Sequence, residues 1–263
     1  DQWLSNLDTG FEIFSADELL ISGARIHNNR KGALLNEVSL RMESTSIDSS
    51  REIGLKLMHT SGILEKISSQ HNGVALELGE GSQANITQSQ FSNNELTIDA
   101  SASVSLSLSF STVSHSRNGV RLGNYAEASI LSNQFRLIDG YSVELSGPHI
   151  QSLLMRQNVV SKTGGVLNSR TSAGEIRVQS NTFANNLSGI TASKRTLTAL
   201  DHNIFFHTAS PETQLLKDEQ PFRWNCLYPA KEIQQPVSTE SGNIYSDPDF
   251  GTNYYLNPTS PCL

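Results

Sequence analysis

Apolar residues recur along this chain at a long, nearly constant step. Ile26, Ile47, Ile67, Phe91, Val113, Phe135, Val160, Phe183 and Phe205 follow one another at intervals of 20–25 residues. Most of these anchors are preceded at −7 and −5 by a small or apolar pair: Leu19/Ile21, Leu40/Met42, Ala84/Ile86, Leu106/Leu108, Ala128/Ile130, Leu153/Met155 and Ile176/Val178. The corresponding pairs Thr60/Gly62 and Thr198/Leu200 fit the pattern less well. A spacing of two places alternate side chains on one face, which predicts a strand with one buried face. After most anchors comes a turn, then Gly, then a second alternating pair, as in Gly54-Leu55-x-Leu57, Gly73-Val74-x-Leu76 and Gly119-Val120-x-Leu122. Val143-x-Leu145 and Gly189-Ile190 continue the series. Glycine at that place predicts a positive φ at a tight corner.

Self-similarity at this period is the mark of a repeat architecture. One coil is strand, corner, strand, corner, and neighbouring coils stack about 4.8 Å apart. The expected fold is all-β: a single-stranded parallel β-helix of about nine coils, a rod on the order of 40 Å long. A helical repeat is excluded because the apolar spacing is two, and because Ser, Thr, Asn and Gly crowd the segments. Asn133, Asn158, Asn181 and Asn203 each stand two residues before an anchor. Stacked in four consecutive coils, their amides can bond to one another along the axis, as amide ladders do in cross-β stacks.

The ends break the pattern. In residues 1–9, Trp3, Leu4 and Leu7 share one helical face, so a short cap helix is expected over the first coil. Gly10-Phe11-x-Ile13 then reads as the closing strand of an incomplete coil, so either residues 1–9 cap an open end or the natural chain extends upstream. The coils occupy residues 10–205. Residues 206–263 hold seven of the eight prolines and form an irregular C-terminal capping tail, which blunts the exposed strand edges.

Composition adds exclusions. With 17% charged residues and many β-branched ones, the 263-residue chain is folded rather than disordered. A formal net charge of −7 speaks against a nucleic-acid partner, which needs clustered Lys and Arg. No apolar run approaches the ~18 residues of a membrane span. Cys226 and Cys262 suit neither a zinc knuckle nor a Cys-x-x-Cys pair. A disulfide holding the tail in an exported protein and two buried free thiols are both open.

Segments such as Asn181-Thr-Phe183-Ala-Asn-Asn186-x-x-Gly189-Ile190 resemble the coils of the right-handed parallel β-helix, or pectate-lyase-like, superfamily. The tail Gly242-Asn-Ile-x-x-Asp247-Pro248-Asp-Phe250, followed by Tyr255-x-x-Asn257-Pro-x-Ser260-Pro261, is similar to the ending of many exported bacterial β-helix proteins. The resemblance implies a right-handed coil and a secreted, periplasmic or cell-surface protein. It implies no single activity, because the superfamily includes lyases, hydrolases, epimerases, tailspikes and adhesins.

Outward positions of stacked strands form columns, so residues far apart in sequence become neighbours. One column holds Lys56, Glu77, Asp99, Arg121 and Glu144. Glu77 and Asp99, one coil apart, repel each other unless a cation lies between them, which makes them candidate Ca²⁺ ligands. Arg121 or Lys56 is then the candidate base abstracting the proton α to a uronate carboxylate, and Glu144 a substrate-binding neighbour. A second cluster, Arg156, Arg177, Gln179 and Asp201, with Lys194 and Arg195 on a nearby turn, could bind an acidic sugar. The bland account of both is a solvated ion network on a β surface. His71 and His115 lie on corners, and Ser246-Asp247-Pro248-Asp249 reads as a turn with side-chain-to-backbone bonds.

Three function classes follow. The first is an exported or surface β-helix protein that binds polysaccharide or another surface component. The second is a polysaccharide lyase or C5-epimerase, and the third a structural or adhesive stalk. Regular coils leave little room for the loops that wall an enzyme's groove, and sugar-stacking aromatics are scarce at 7%.

Overall fold

The computed structural model describes residues 3–192, 195–208, 222–228 and 242–263. The chain is a parallel β-solenoid of about nine coils. Its first strands are β1 (Trp3–Ser5), β2 (Thr9–Ser22), β3 (Arg25–His27) and β4 (Lys31–Glu43). Each coil carries three strand segments, which stack into three ladders, all pairings between strands being parallel. The anchor ladder has 11 strands, from β1 through β3 to Cys226–Tyr228. The post-turn ladder carries Gly-x-x-Leu segments such as that in Asn118–Leu122. The pre-anchor ladder carries segments such as Ser105–Ser109 and Glu127–Leu131. β2 and β4 are long enough to belong to both of these ladders.

The inward residues of all three ladders make one continuous core, with Ile26, Phe135, Phe183 and Leu200 at 0% exposure. Phe183, Phe205 and Phe222 stack along its last coils, with ring centroids 5.0 and 6.3 Å apart.

The register corrects the expected anchor of the third coil. Ser69, not Ile67, pairs with Ile47 on one side and Phe91 on the other. With Ser69 in place, the preceding pair is Gly62/Leu64, in register with Leu40/Met42, and the poor fit of Thr60/Gly62 disappears. A buried serine is hidden from an apolar pattern, whereas Ile67 two residues earlier is also buried and fits it by accident. In the ninth coil the β-bulge between Ile176 and Arg177 sends Leu197 and Leu200 inward, which explains the irregular spacing there.

The expected N-terminal helix is not formed: Trp3–Ser5 is a strand paired with β3. Leu4 sits opposite Ile26, 22 residues on, so the step of the solenoid outweighs the weak helical face. At the other end the anchor ladder runs past Phe205 to Leu227. Pro211, Pro221, Pro229 and Pro236 lie outside the described residues, as does Lys194.

The corner glycines also differ from expectation. Gly54, Gly73 and Gly119 do not have positive φ. Ser49, His71, Asn93 and His115 do, with φ from 52° to 57°. Such residues tolerate the left-handed region because each corner N–H donates to a carbonyl of the next coil, as Ser49 does to Gln70 at 3.0 Å. The glycines are required instead by close approach between coils: a Cβ on Gly119 would lie 2.2 Å from the carbonyl oxygen of Ser142.

Candidate functional site

The Asn column is real and longer than expected. It begins where the Ser111 N–H meets Asn133 Oδ1 and passes through Asn158, Asn181 and Asn203 to Asn225 and Asn243. From Asn133 to Asn225, each Oδ1 accepts from the preceding coil, and each Nδ2 also donates to a strand carbonyl further back. These five residues are at most 1% exposed and their amides are consumed by the fold, so they offer nothing to a ligand. A second polar column, three residues after the anchor, was not found in the sequence. It includes Asn29, Asn72, Asn94, Thr163 and Asn186. Taking Ile67 for an anchor hid it, because Asn72 stands three residues after Ser69.

The first charged column is in register as expected: Lys56, Glu77, Asp99, Arg121 and Glu144 follow one another across adjacent coils. Its charges pair, although Glu77 and Asp99 stand next to each other. Lys56 Nζ lies 2.7 Å from Glu77 Oε1, and Arg121 sits between Asp99 at 3.7 Å and Glu144 at 3.6 Å. Ser101 donates to Asp99 as well. Glu77 and Asp99 therefore each face a cationic side chain. Among the described residues there is no group of three or more His, Cys, Asp or Glu able to hold a metal ion.

The second cluster divides into two columns. Arg156, Gln179 and Asp201 share one, with Gln179 donating to Asp201 at 3.3 Å. Arg177 occupies the next, beside Leu154, and its Nε is 2.7 Å from Glu175 Oε1. The His202 ring lies 3.4 Å from Asp201. His71 and His115 are corner residues, and His71 Nδ1 is 3.4 Å from Asp48. The Asp247–Asp249 segment is a turn as read, with the Asp249 N–H donating to Asp247 Oδ1 at 2.9 Å.

The pre-anchor ladder presents a shallow axial depression that reaches Arg177 of the second cluster. Ser105, Glu127, Ser152 and Glu175 form one wall in successive register. Ser107, Ser129, Leu154 and Arg177 form the other. The depression encloses about 350 Å³. In the turn leading into Glu127–Leu131, the Tyr125 ring stacks on His149 with centroids 5.9 Å apart, and Tyr125 is 61% exposed. Sequence reasoning named only Arg177 of this surface, because it looked for charge, whereas four serines line the groove beside the charged residues. The signal available was Ser105-x-Ser107-x-Ser109, an alternation whose outward members are all polar.

Cys226 and Cys262 form a disulfide, which ties the last described segment to the final anchor strand. Among the described residues no helix is long and apolar enough to cross a membrane. Comparison with known proteins finds no matching family, no similar curated protein and no similar solved structure.

Proposed function

We propose that this protein is an exported or cell-surface β-solenoid that binds polysaccharide along the axial groove of its pre-anchor ladder. The observation that carries this reading is the run of outward Ser and Glu residues in register over four coils, from Ser105 to Glu175. Hydroxyls and carboxylates repeated about every 4.8 Å form a row of donors and acceptors suited to an extended chain of sugar hydroxyls. Tyr125, two residues before Glu127 and stacked on His149, is an exposed aromatic ring suited to sugar stacking. The Cys226–Cys262 bridge supports export, since disulfides persist in oxidising compartments. The likeness of the coils and tail to pectate-lyase-like proteins points the same way.

The charge pattern favours a neutral glycan. Arg177 is engaged by Glu175, Arg121 by two carboxylates and Lys56 by Glu77, while Glu127 repels a uronate. The same pairings favour binding over the lyase or epimerase reading, because each candidate base, Arg121 or Lys56, stands in an ion pair. The test is retention of the protein on insoluble and soluble glycans, neutral and uronate-containing. Neutral polymers should retain it, and Glu127→Ala or Ser129→Tyr should weaken retention by about tenfold, ~1.4 kcal/mol. Unchanged retention in both variants, or retention on uronate polymers alone, overturns the reading.

A further inference from the structure

The three faces of the solenoid carry charge differently. The outer face of the anchor ladder is made by the residues on either side of each anchor, which point away from the core. Over six successive coils these strands are Ser68–Gln70, Gln90–Ser92, Thr112–Ser114, Gln134–Arg136, Val159–Ser161 and Thr182–Ala184, stacked in register. The left-handed residue after each strand is His71, Asn93, His115, Leu137, Lys162 or Asn185. None of these positions is Asp or Glu, although the chain holds 26 acids and a net charge of −7. Over the same length the post-turn ladder carries Glu77, Asp99 and Glu144, and the pre-anchor ladder Glu127 and Glu175.

The bases of the acid-free face are unpaired. Arg136, Lys162 and His115 are exposed, and their side chains make no ion pair or hydrogen bond among the described residues. Arg30, Lys56, Arg117 and Arg121, on other faces, each meet a carboxylate. The three groups are neighbours in successive coils, spanning about 10 Å along the axis. The His115 N–H donates to the Arg136 carbonyl at 3.2 Å, and Arg136 pairs in register with Ser161, the residue before Lys162. Ser114 and Ser161 flank Arg136 in its own column. On the other side of the anchors run the neutral polar residues Gln90, Thr112, Gln134 and Thr182. Asp139 stands beyond the corner, three residues after Arg136, and Glu95 there is held by Arg117. The C-terminal tail meets this face two coils further on, where Asn185 donates to the Tyr254 hydroxyl at 3.1 Å.

We propose that Arg136, Lys162 and His115 form an anion subsite that takes a sulfate or phosphate monoester carried on an extended glycan. Cations with no neighbouring carboxylate keep their full attraction for an incoming anion. The three free oxygens of such an ester accept from the Arg136 guanidinium and the Lys162 ammonium, and His115 adds a donor from the adjacent coil. Sugar hydroxyls on either side of the ester meet the row through Thr112 and Gln134. This face is separate from the axial groove, whose Glu127 and Glu175 repel such a ligand.

Biolayer interferometry with three dextrans of matched charge density, sulfated, phosphorylated and carboxymethylated, tests this. The sulfated or the phosphorylated polymer should bind at least about tenfold more tightly than the carboxymethylated one, and the tighter of the two identifies the ester. Arg136→Gln/Lys162→Gln should weaken that binding by about tenfold or more. Arg51→Gln/Arg170→Gln, the same change in net charge at exposed positions off this face, should change it by less than about twofold. Ser129→Tyr, in the axial groove, should leave it unchanged, so that failure of this proposal and failure of the groove reading are separate results. Hydrogen exchange on the unaltered protein should slow at the corners following Thr112–Ser114, Gln134–Arg136 and Val159–Ser161 when the polymer binds, a readout independent of how the variants fold. Equal affinity for the carboxymethylated polymer, equal loss in the two double variants, or protection confined to other segments overturns the proposal.

Discussion

Asn158 donates both its backbone N–H and its side-chain amide to Oδ1 of Asn181, at 2.9 Å in each case, across 23 residues of sequence. One oxygen thus satisfies two buried donors at a corner that could not otherwise pair them. The Asn column accordingly belongs to the stability of the solenoid.

Asn181→Ala strands the Asn158 N–H inside the protein and removes the donor to the Met155 carbonyl. Each buried group left unpaired costs about 1–3 kcal/mol, so denaturant unfolding should shift to clearly lower concentration. Asn85→Ala, at an exposed outward position, should change the midpoint little. Equal effects would mean that the ladder is not a structural element.

Gly119→Ala should destabilise the protein although Gly119 has no unusual φ, because the new methyl group meets the Ser142 carbonyl, a backbone atom. Gly62→Ala meets only the end of the Leu57 side chain, at 3.2 Å, and should be tolerated far better. Thermal melts of the two variants give the comparison. A reversed order would show that the corner spacing adapts.

Reducing the Cys226–Cys262 bridge should release the tail. The bridge closes a separation of 36 residues, for which chain entropy estimates roughly 4 kcal/mol. Dithiothreitol or Cys262→Ser should lower the melting temperature and open the segment 242–263 to limited proteolysis, with the coils before it still resistant. Identical digestion patterns with and without reductant would show that packing alone holds the tail.

Acid sensitivity should depend on Asp8. The hydrogen-bonded Arg30 guanidinium holds its carboxyl below the ordinary value of 3.8. A folded-state value lower than the unfolded one contributes stability that is present above pH 3.8 and lost as pH falls through the depressed value. Arg30→Gln should therefore lower stability at neutral pH and flatten the loss below pH 3.8. The pair lies at the surface, so the effect is small and should fade in high salt.

The sequence made the stacking step, the inward pairs and the first charged column legible, because a period of two and a repeat of about 22 residues are one-dimensional signals. Glu77 beside Asp99, and Arg121 beside Glu144, stand where the repeat put them. What those residues do was not legible. Pairing of Lys56 with Glu77 depends on how far a flexible side chain reaches across the strand spacing, which no pattern records. Apart from Arg177, the axial groove was hidden for a related reason: Ser129 is unremarkable until Glu127, Ser152 and Glu175 are stacked around it.

The amino-acid pattern by itself determined that this chain coils into a parallel β-solenoid, since only stacked coils can bury an apolar pair recurring at that interval. The tertiary structure decided which residues stand at the anchors, as with Ser69 in place of Ile67, because register is set by hydrogen bonds to both neighbouring coils. It also decided that the corner glycines serve close approach and that the charged column pairs within itself. Those properties depend on distances between coils, and a repeat in sequence carries the order of the coils but not the space between their side chains.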